Sequence, residues 1–423
     1  MGIFGVAAMV GLFMFATYKG GSSQAITNLT AWGTLPKSAI DDGFTVLSQT
    51  DTKLKSLTYE QKSPATLAQQ LAAAIATGNA PDLVIASQEE LLSLRPLVVP
   101  VPAQSLSAAD FEQAFIDQGS MLVSPDGGHY GLPFVVDPLV LFWNKDLFAS
   151  AGVALPPSTW EALPGLVPVF TRLSNTNQVT QGLIGLGAYD NVTNARGILS
   201  TLFLQTGVPI SEVGTAQTYR GNLGQSSETG KAPGKTTLEY YTSFTNSKTT
   251  SYTFSSTLPQ SREMFKEGRL ALYIGYTSDA AYLAEANPNL NFSTAPMPQP
   301  ANAQVRMTYG RMYSFFISKG SKNQAQAYEA AALLTNAAEQ AMFAQSTGLA
   351  PATRAGLQSV PNNPITSTAY ASALYSHGWV SPAGQDVDGV FSAMINDVIT
   401  GKTQVDAALA KAAGALTFLL QQK

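Results

Sequence analysis

The segment most informative about the architecture is Tyr130-Gly-Leu-Pro-Phe-Val-Val-Asp-Pro-Leu-Val-Leu-Phe-Trp-Asn-Lys-Asp-Leu-Phe148. Its first half is extended and leads into an uninterrupted apolar run over residues 139–143. A polar turn at residues 144–146 then precedes the start of a helix. A strand that is apolar on both faces is typical of a sheet covered by helices on both sides, so the segment predicts an α/β protein.

Composition narrows the class of protein. The chain has 423 residues, too many for one core of ordinary size, which favours two or more lobes. Charged residues make up 12% of the chain, about half the usual fraction, and the net charge is −4. We find no cluster of Lys and Arg with interleaved aromatic residues, so a nucleic acid is not an expected partner. The sequence contains no cysteine, which excludes disulfides, thiolate metal sites and cysteine nucleophiles.

The N-terminal region has the character of an export segment. Residues 2–18 form an uncharged apolar run that changes at Lys19 to a polar spacer. As a helix this run would be roughly 25 Å long, which suits a signal peptide or a short membrane anchor. Residues 23–25 have the small-x-small form of a cleavage site, but no Lys or Arg precedes the run. We expect residues 1–25 to be a signal peptide or a membrane anchor with its spacer; a buried core helix is the alternative.

The rest of the chain alternates between strand and helix patterns. Residues 26–33, 66–78 and 80–86 read as a strand, a helix and a buried strand within a β-α-β-α-β series. Such a series predicts a parallel sheet with right-handed crossovers. The proline-rich segment 292–300 reads as a second crossing between lobes, because repeated proline prevents regular structure. Residues 390–420 read as a helical tail.

Several segments together resemble the sugar-binding extracellular solute-binding proteins of ABC importers, the class that includes maltose-binding protein. They are residues 76–84, 130–148, 265–276, 348–353 and 401–409, in the order and at the spacing of that family. The resemblance implies a two-lobe, type II periplasmic-binding fold with two crossing segments and a ligand cleft between the lobes. It implies a first lobe of residues 26–134 with 298–346 and a second lobe of residues 135–297 with 347–423.

Candidate site residues follow from the fold. In open α/β sheets ligands bind beyond the carboxyl ends of the strands, and sugars need aromatic faces together with planar polar groups. The candidate ligand-binding residues are Trp32, Gly33, Thr34, Ser87, Gln88, Glu89, Asp137, Tyr189, Asn191, Asn194, Tyr276, Arg311 and Trp379.

Each candidate has a structural alternative. Trp32 and Trp379 could be packed core, and Glu89 could be an exposed residue beside a helix N-cap. By resemblance Asp137 presents a carboxylate to a sugar, although hydrogen bonding at the hinge would also explain it. Arg311 could fork two hydroxyls, meet a carboxylate or form a structural salt bridge. The asparagines of the 189–194 loop are also ordinary loop residues, and Trp143 and Trp160 are assigned to packing.

Enzyme motifs are not found: the chain lacks Gly-x-Ser-x-Gly, the P-loop and His-Glu-x-x-His. Of the two histidines, His129 lies in a Gly-Gly-His-Tyr turn and is expected to be a solvated loop residue. A glycoside hydrolase remains the main competitor, because Glu89 and Asp137 could form a carboxylate pair; a surface glycan-binding or adhesion protein is a third class. We expect a monomeric, extracytoplasmic binding protein without cofactor or metal, which delivers a carbohydrate or another polar solute to ABC permease subunits.

Overall fold

The computed structural model describes residues 28–50, 57–213, 218–224, 232–382 and 384–422. The predicted signal peptide or anchor, residues 1–25, lies outside the described residues. Within the described part of the chain, no helix combines the length and the apolar character that a bilayer span requires.

Strands and helices alternate along most of the described chain. The strands are β1 (Leu29–Gly33), β2 (Leu57–Gln61), β3 (Leu83–Ser87), β4 (Val98–Val99), β5 (Leu132–Asn144), β6 (Arg172–Leu173), β7 (Val179–Ile184), β8 (Ser211–Val213), β9 (Tyr219–Gly221), β10 (Leu270–Tyr276), β11 (Phe292–Ala295), β12 (Thr308–Ser318), β13 (Ala350–Pro351) and β14 (Ser376–His377). The helices are α1 (Lys37–Thr50), α2 (Leu67–Thr77), α3 (Leu91–Leu94), α4 (Ala108–Ala114), α5 (Lys145–Ser150), α6 (Leu163–Phe170), α7 (Ala195–Gln205), α8 (Pro233–Ser243), α9 (Ser261–Lys266), α10 (Asp279–Ala286), α11 (Gln324–Leu334), α12 (Ala337–Thr347), α13 (Pro364–Ala373), α14 (Gly384–Ile399) and α15 (Val405–Gln421).

One curled sheet passes through both halves of the molecule, in the order β2-β1-β3-β12-β5-β10-β7-β6. The pairings of β1 with β2 and with β3 are parallel, as the β-α-β-α-β pattern predicts. The long central pairings, β12 with β5 and β10 with β5, are antiparallel. The predicted parallel sheet is therefore correct for the N-terminal strands, while the centre of the sheet is mixed.

Two hydrophobic cores lie on either side of this centre, and we call the residues around each core a lobe. The first core contains residues 132–136 of β5, and the second contains residues 139–142 of the same strand. Both halves of β5 are buried on both faces of the strand. This explains why consecutive residues of the segment are apolar, and not only every second residue. In the first core Phe134 packs against Phe315 and Phe343, with ring centroids 4.6 and 4.5 Å away.

Three features differ from the sequence prediction. The segment 292–300 does not form the second crossing, because β11 pairs with β5 inside the second lobe. The second crossing is β12, which carries Tyr309 in the second core and residues 312–317 in the first. Residues 349–373 pack in the first core rather than in the second lobe. The remaining lobe boundaries stay predictions.

The predicted helical tail is also interrupted. Its residues lie in α14 and α15, and the chain turns between them at Gly401, whose φ of 69° favours glycine.

His129 is buried, so the prediction of a solvated loop histidine is wrong. Its imidazole stacks on the Phe111 ring at 3.9 Å between centroids and 14° between planes. The backbone of His129 bridges to Val101 and to Val123, which holds the turn against the first lobe. Neither ring nitrogen has a hydrogen-bond partner in the described residues.

The burial of His129 predicts a pH-dependent stability. Burial lowers the pKa of the His129 imidazole below its ordinary value of 6.5. The folded state then binds fewer protons than the unfolded state, so the stabilisation is complete above about pH 6.5 and is lost as the pH falls, by at most about 1.4 kcal/mol per pH unit. The variant His129→Phe keeps the ring stacking and lacks this dependence. Urea unfolding of both proteins across this range should show their stability difference changing with pH; a constant difference would contradict the assignment.

Candidate ligand-binding cleft

A cleft of about 560 Å³ lies between the two lobes. Its first-lobe wall is formed beyond the carboxyl ends of β1 and β3 and by β12, and its second-lobe wall by the N-terminal turns of α7 and α14. The position is the one that open α/β sheets use for ligands. The charged and polar residues that line it include Thr34, Ser87, Glu89, Glu90, Arg196, Arg311, Tyr313, Asp386 and Asp388.

The end of β3 supplies two carboxylates to this wall. All five residues of β3 are buried, and the chain becomes polar immediately after the strand. The backbone N–H and the hydroxyl of Ser87 both donate to Glu90 Oε2 at 2.9 Å. These bonds fold the Glu90 side chain back over the strand end, next to Glu89.

Glu89 is the centre of a network that joins the two lobes. Its carboxylate accepts a hydrogen bond from Arg196 at 2.8 Å and one from the Tyr309 hydroxyl at 2.7 Å. Arg196 lies 3.6 Å from Asp388, which in turn accepts a 2.6 Å hydrogen bond from Tyr189. Glu89 belongs to the first lobe, whereas Arg196 and Asp388 belong to the second, so the network spans the cleft. We call these five residues the Glu89 network.

The two adjacent carboxyl groups differ in their protonation. Burial alone would raise the pKa of Glu89, but the positive charges of Arg196 and Arg311 outweigh it and the pKa is lowered. Burial, together with the neighbouring charge of Glu89, raises the pKa of Glu90 to about 7. Glu89 is therefore ionised at neutral pH, while Glu90 keeps its proton to a higher pH than an ordinary glutamate does.

Arg311 presents its guanidinium to the cleft. The group lies 4.0 Å from the centre of the Tyr276 ring, and Nε is 3.8 Å from a Glu89 oxygen. Thirty per cent of the side chain is exposed. The guanidinium makes no hydrogen bond to any residue in the described ranges. Arg311 is thus held in place by the ring of Tyr276 while its donors remain available.

Four of the predicted residues line the cleft: Thr34, Ser87, Glu89 and Arg311. A fifth, Tyr276, contacts the guanidinium of Arg311 with its ring. Their contact with a ligand stays a prediction. The other predicted residues have structural roles at or near the cleft.

Gly33 and Gln88 hold strands together. A Cβ atom on Gly33 would lie 2.5 Å from the Ile85 carbonyl oxygen, so glycine allows β1 to approach β3 closely. The buried side chain of Gln88 donates to the Gly310 carbonyl at 2.9 Å and accepts from the Met312 N–H at 2.7 Å. Gln88 therefore fastens the end of β3 to β12.

Asp137 lies in the crossing strand rather than in the cleft wall. Its carboxylate accepts from the Thr277 hydroxyl at 2.8 Å, and from the Ser278 N–H at 3.0 Å and hydroxyl at 2.6 Å. These contacts fix the start of α10 against β5. The structure supports the hinge alternative, and burial raises the pKa of Asp137 despite the hydrogen bonds.

This arrangement predicts that Asp137 contributes to stability and not to ligand affinity. Asp137→Ala leaves the Ser278 N–H and two hydroxyls without their acceptor, and should lower the free energy of unfolding by about 2 kcal/mol. Asp137→Asn keeps an acceptor of the same shape and should cost much less. Urea unfolding and calorimetric titration of both variants test the assignment; a variant that folds normally but no longer binds ligand would restore Asp137 to the site.

The 189–194 loop is held by internal bonds. Tyr189 is buried and donates to Asp388. The Asn191 amide donates to two backbone carbonyls at 2.8 Å. Asn194 adopts a left-handed conformation, with φ of 64°, at the start of α7 and donates to the Tyr273 hydroxyl at 3.0 Å. This loop therefore positions α7, and with it Arg196, instead of lining the cleft.

The two candidate tryptophans are covered. Trp32 packs on the first core, and the Lys62 ammonium lies 3.9 Å from its ring centre. Trp379 is buried in the second core, where it stacks on Phe391 and donates to the Ser200 hydroxyl at 3.0 Å. Trp160 is buried and Trp143 partly buried in the second lobe, as predicted.

Sequence reasoning missed Arg196 and Asp388. The available signal was a single arginine in the apolar run of residues 195–204, in a chain where charged residues are scarce. Asp388 follows Asp386 in the first turns of α14 and carries no comparable signal.

A larger cavity of about 770 Å³ lies away from the ends of β1 and β3. Arg95 lies in its wall between Tyr130 and Tyr219, 5.1 and 5.4 Å from the two ring centres. Ligands of open α/β sheets bind beyond the carboxyl ends of the strands, so we place the ligand in the smaller cleft. No group of three His, Cys, Asp or Glu residues in the described ranges is arranged to hold a metal.

Known proteins show the same architecture. The family model for bacterial extracellular solute-binding proteins matches residues 48–369. A putative binding protein of Brucella abortus is 24% identical over 364 residues, 84% of each chain. Maltodextrin-binding protein MdxE of Bacillus subtilis is 24% identical over 77% of this chain and 74% of its own length. The structure of a cyclic alpha-maltosyl-1,6-maltose binding protein from Arthrobacter globiformis is similar, with a TM-score of 0.74, 16% identity, and coverage of 93% of this chain and 99% of that one. The predicted two-lobe α/β fold is confirmed.

Proposed function

Because the chain belongs to the bacterial extracellular solute-binding protein family, we propose that it captures a sugar or oligosaccharide between its lobes and delivers it to an ABC permease. The observation that carries this proposal is the interlobe cleft, where charged groups from both lobes converge at the strand ends. The maltodextrin and cyclic maltosyl-maltose named for two similar proteins support a carbohydrate as the ligand.

Closure of the lobes around the ligand is part of the proposal. The Glu89 network joins the lobes through the bond between Glu89 and Arg196. A ligand that makes contacts with both walls would add to this link and favour the closed state. No covalent step is required.

A glycoside hydrolase is the second candidate, and one observation favours it. Glu89 and Glu90 lie in the cleft with their pKa values moved in opposite directions, as in acid–base pairs. Against it, both oxygens of Glu89 are engaged by Arg196 and Tyr309. Adjacent residues on one wall are also poorly placed to flank a glycosidic bond, so we favour binding without reaction.

The cellular setting follows from the family. An extracellular solute-binding protein acts outside the cytoplasmic membrane. We propose that residues 1–25 direct export, that they either are removed or anchor the chain, and that the protein acts as a monomer.

A thermal-shift screen of the purified protein against sugars, oligosaccharides and other polar solutes tests the function. A ligand at 100 times its dissociation constant should add about 2.7 kcal/mol to the free energy of unfolding. A saturable shift with the ligand recovered unchanged is the expected result. Recovery of a cleaved sugar would establish the hydrolase instead.

A further inference from the structure

Two guanidinium groups line the cleft among the described residues, and Arg311 differs from Arg196 because its hydrogen-bonding capacity is unused. We infer that the ligand carries an anionic group, a carboxylate or a phosphate, that binds the guanidinium of Arg311. The inference rests on the proposed binding function and narrows its ligand to acidic saccharides, such as uronates or sugar phosphates.

Comparison with Arg196 shows what is unusual about Arg311. Arg196 is paired with Glu89 at 2.8 Å and lies 3.6 Å from Asp388, so its charge and its donors are matched. Arg311 reaches Glu89 only at 3.8 Å and through Nε, and its terminal Nη groups have no hydrogen-bond partner among the described residues, although the side chain lines the cleft. A guanidinium with two parallel free donors is suited to a planar or tetrahedral anion that accepts both.

Tyr276 fixes the orientation of this group. The guanidinium carbon lies over the Tyr276 ring, 4.0 Å from the ring centre. The ring belongs to the second lobe and Arg311 to the crossing strand β12. A side chain held in this way loses little conformational freedom when an anion binds, which increases the affinity for a ligand of the matching shape.

The cleft offers little aromatic surface for a long neutral sugar. Among the described residues that line it, Tyr313 is the single aromatic one. The internal positions outside the described ranges, 51–56, 214–217, 225–231 and 383, contain no aromatic residue in the sequence. Stacking on sugar rings therefore contributes less here than hydrogen bonds and charge do.

The surroundings of Arg311 permit an anion. Glu89 and Asp388 are matched by Arg196 and Arg311, Asp137 is satisfied by hydrogen bonds from Thr277 and Ser278, and Asp386 is exposed to solvent. The remaining inner carboxyl group in the cleft lining is Glu90. Glu90 faces Glu89, Arg311 and the Tyr313 hydroxyl, and its pKa is about 7. Below this pH it is protonated and adds no negative charge. Binding of an anion beside Arg311 should be accompanied by proton uptake at Glu90.

Calorimetric titration with matched probes tests the inference on the whole protein. The probes are glucose and maltotriose as neutral sugars, and glucuronate, glucose 6-phosphate and inorganic phosphate as anions. The variants are Arg311→Gln, which removes both the positive charge and the paired N–H donors, and Arg311→Lys, which keeps the charge but lacks the paired donors. Arg306→Gln is the control, because Arg306 also lies over a tyrosine, 4.5 Å from the ring centre of Tyr375, but is exposed and outside the cleft.

We expect an acidic sugar to bind at least about tenfold more tightly than its neutral counterpart, with glucuronate or glucose 6-phosphate identifying the anion. Arg311→Gln should remove this preference, Arg311→Lys should retain part of it, and Arg306→Gln should leave it intact. Glucuronate keeps its charge between pH 6 and pH 8, so its affinity should be higher at pH 6 than at pH 8, and Glu90→Gln should abolish that difference.

The failure of this inference is distinguishable from that of the proposed function. Neutral sugars that bind wild type and Arg311→Gln with equal affinity would overturn the anionic ligand and keep the sugar-binding function. Binding of inorganic phosphate with no preference for any sugar would overturn the saccharide class. If none of the probes binds, both proposals are contradicted.

Discussion

Replacement of Glu89 by alanine should lower the free energy of unfolding by about 3–5 kcal/mol. The side chains of Glu89 and Arg196 are 8% and 14% exposed, so the pair is largely removed from water. Without the carboxylate, Arg196 keeps only the 3.6 Å contact with Asp388, and the buried Tyr309 hydroxyl loses its acceptor. A buried charge that loses its partner retains the cost of its desolvation, which is why removal of one member is expensive.

The matched control for Glu89→Ala is Asp41→Ala on helix α1. Asp41 forms a 2.7 Å salt bridge with Lys37, similar in length to the pair in the cleft, but the two side chains are 50% and 56% exposed. Water screens such a pair, so Asp41→Ala should cost at most about 1 kcal/mol. Urea unfolding followed by circular dichroism and by fluorescence measures both variants, and coincident transitions support a two-state treatment.

A double-mutant cycle separates the pair from its surroundings. Arg196→Met removes the charge that Glu89→Ala leaves unpaired, so the double variant should be more stable than the sum of the two single losses implies. Equal losses for Glu89→Ala and Asp41→Ala, or simple additivity in the cycle, would show that the lobes are not linked through this pair.

The sequence predicted the fold because the fold depends on local patterns. The segment 130–148 is apolar on both faces because β5 lies in the centre of the sheet, and that requirement is visible without any tertiary information. The position of the second crossing was not visible in this way. Residues 292–300 are irregular in sequence, but the pairing of β11 with β5 keeps them in the second lobe.

The candidate site was predicted in part for the same reason. Glu89 follows the buried strand β3, so it is found by the rule that ligands bind at the ends of strands. Arg311 lies in β12, and its position is predicted by the apolar pattern of that strand. The partners of Glu89 could not be found, since Arg196 and Asp388 are distant from it in sequence and meet it only when the lobes come together. For Asp137 the residue type suggested a ligand contact, but in the structure its carboxylate oxygens accept hydrogen bonds from Thr277 and Ser278.

Gln88 holds the backbone on both sides of Arg311, whose side chain packs on Tyr276, and Gln88→Leu should therefore affect both stability and ligand binding. Its side chain bonds to the Gly310 carbonyl and to the Met312 N–H, the backbone groups on either side of Arg311. These bonds continue the pairing of β3 with β12 past Ser87, where the backbone ladder ends. In Gln88→Leu the Met312 N–H has no acceptor in a buried position, and the free energy of unfolding should fall by about 2–3 kcal/mol.

Gln118→Leu distinguishes a positioning role from a purely structural one. Gln118 is equally buried and donates to the same Gly310 carbonyl at 2.8 Å, but it does not contact Met312. We expect Gln118→Leu to be destabilised to a similar degree and to bind the cleft ligand with wild-type affinity, while Gln88→Leu binds it several-fold more weakly even when fully folded. Unfolding in urea and calorimetric titration under native conditions give the two quantities. Equal affinity in the two variants would contradict the positioning role of Gln88. The backbone pairing of Arg311 with Asp137 of β5 would then be sufficient to hold this part of β12 in place.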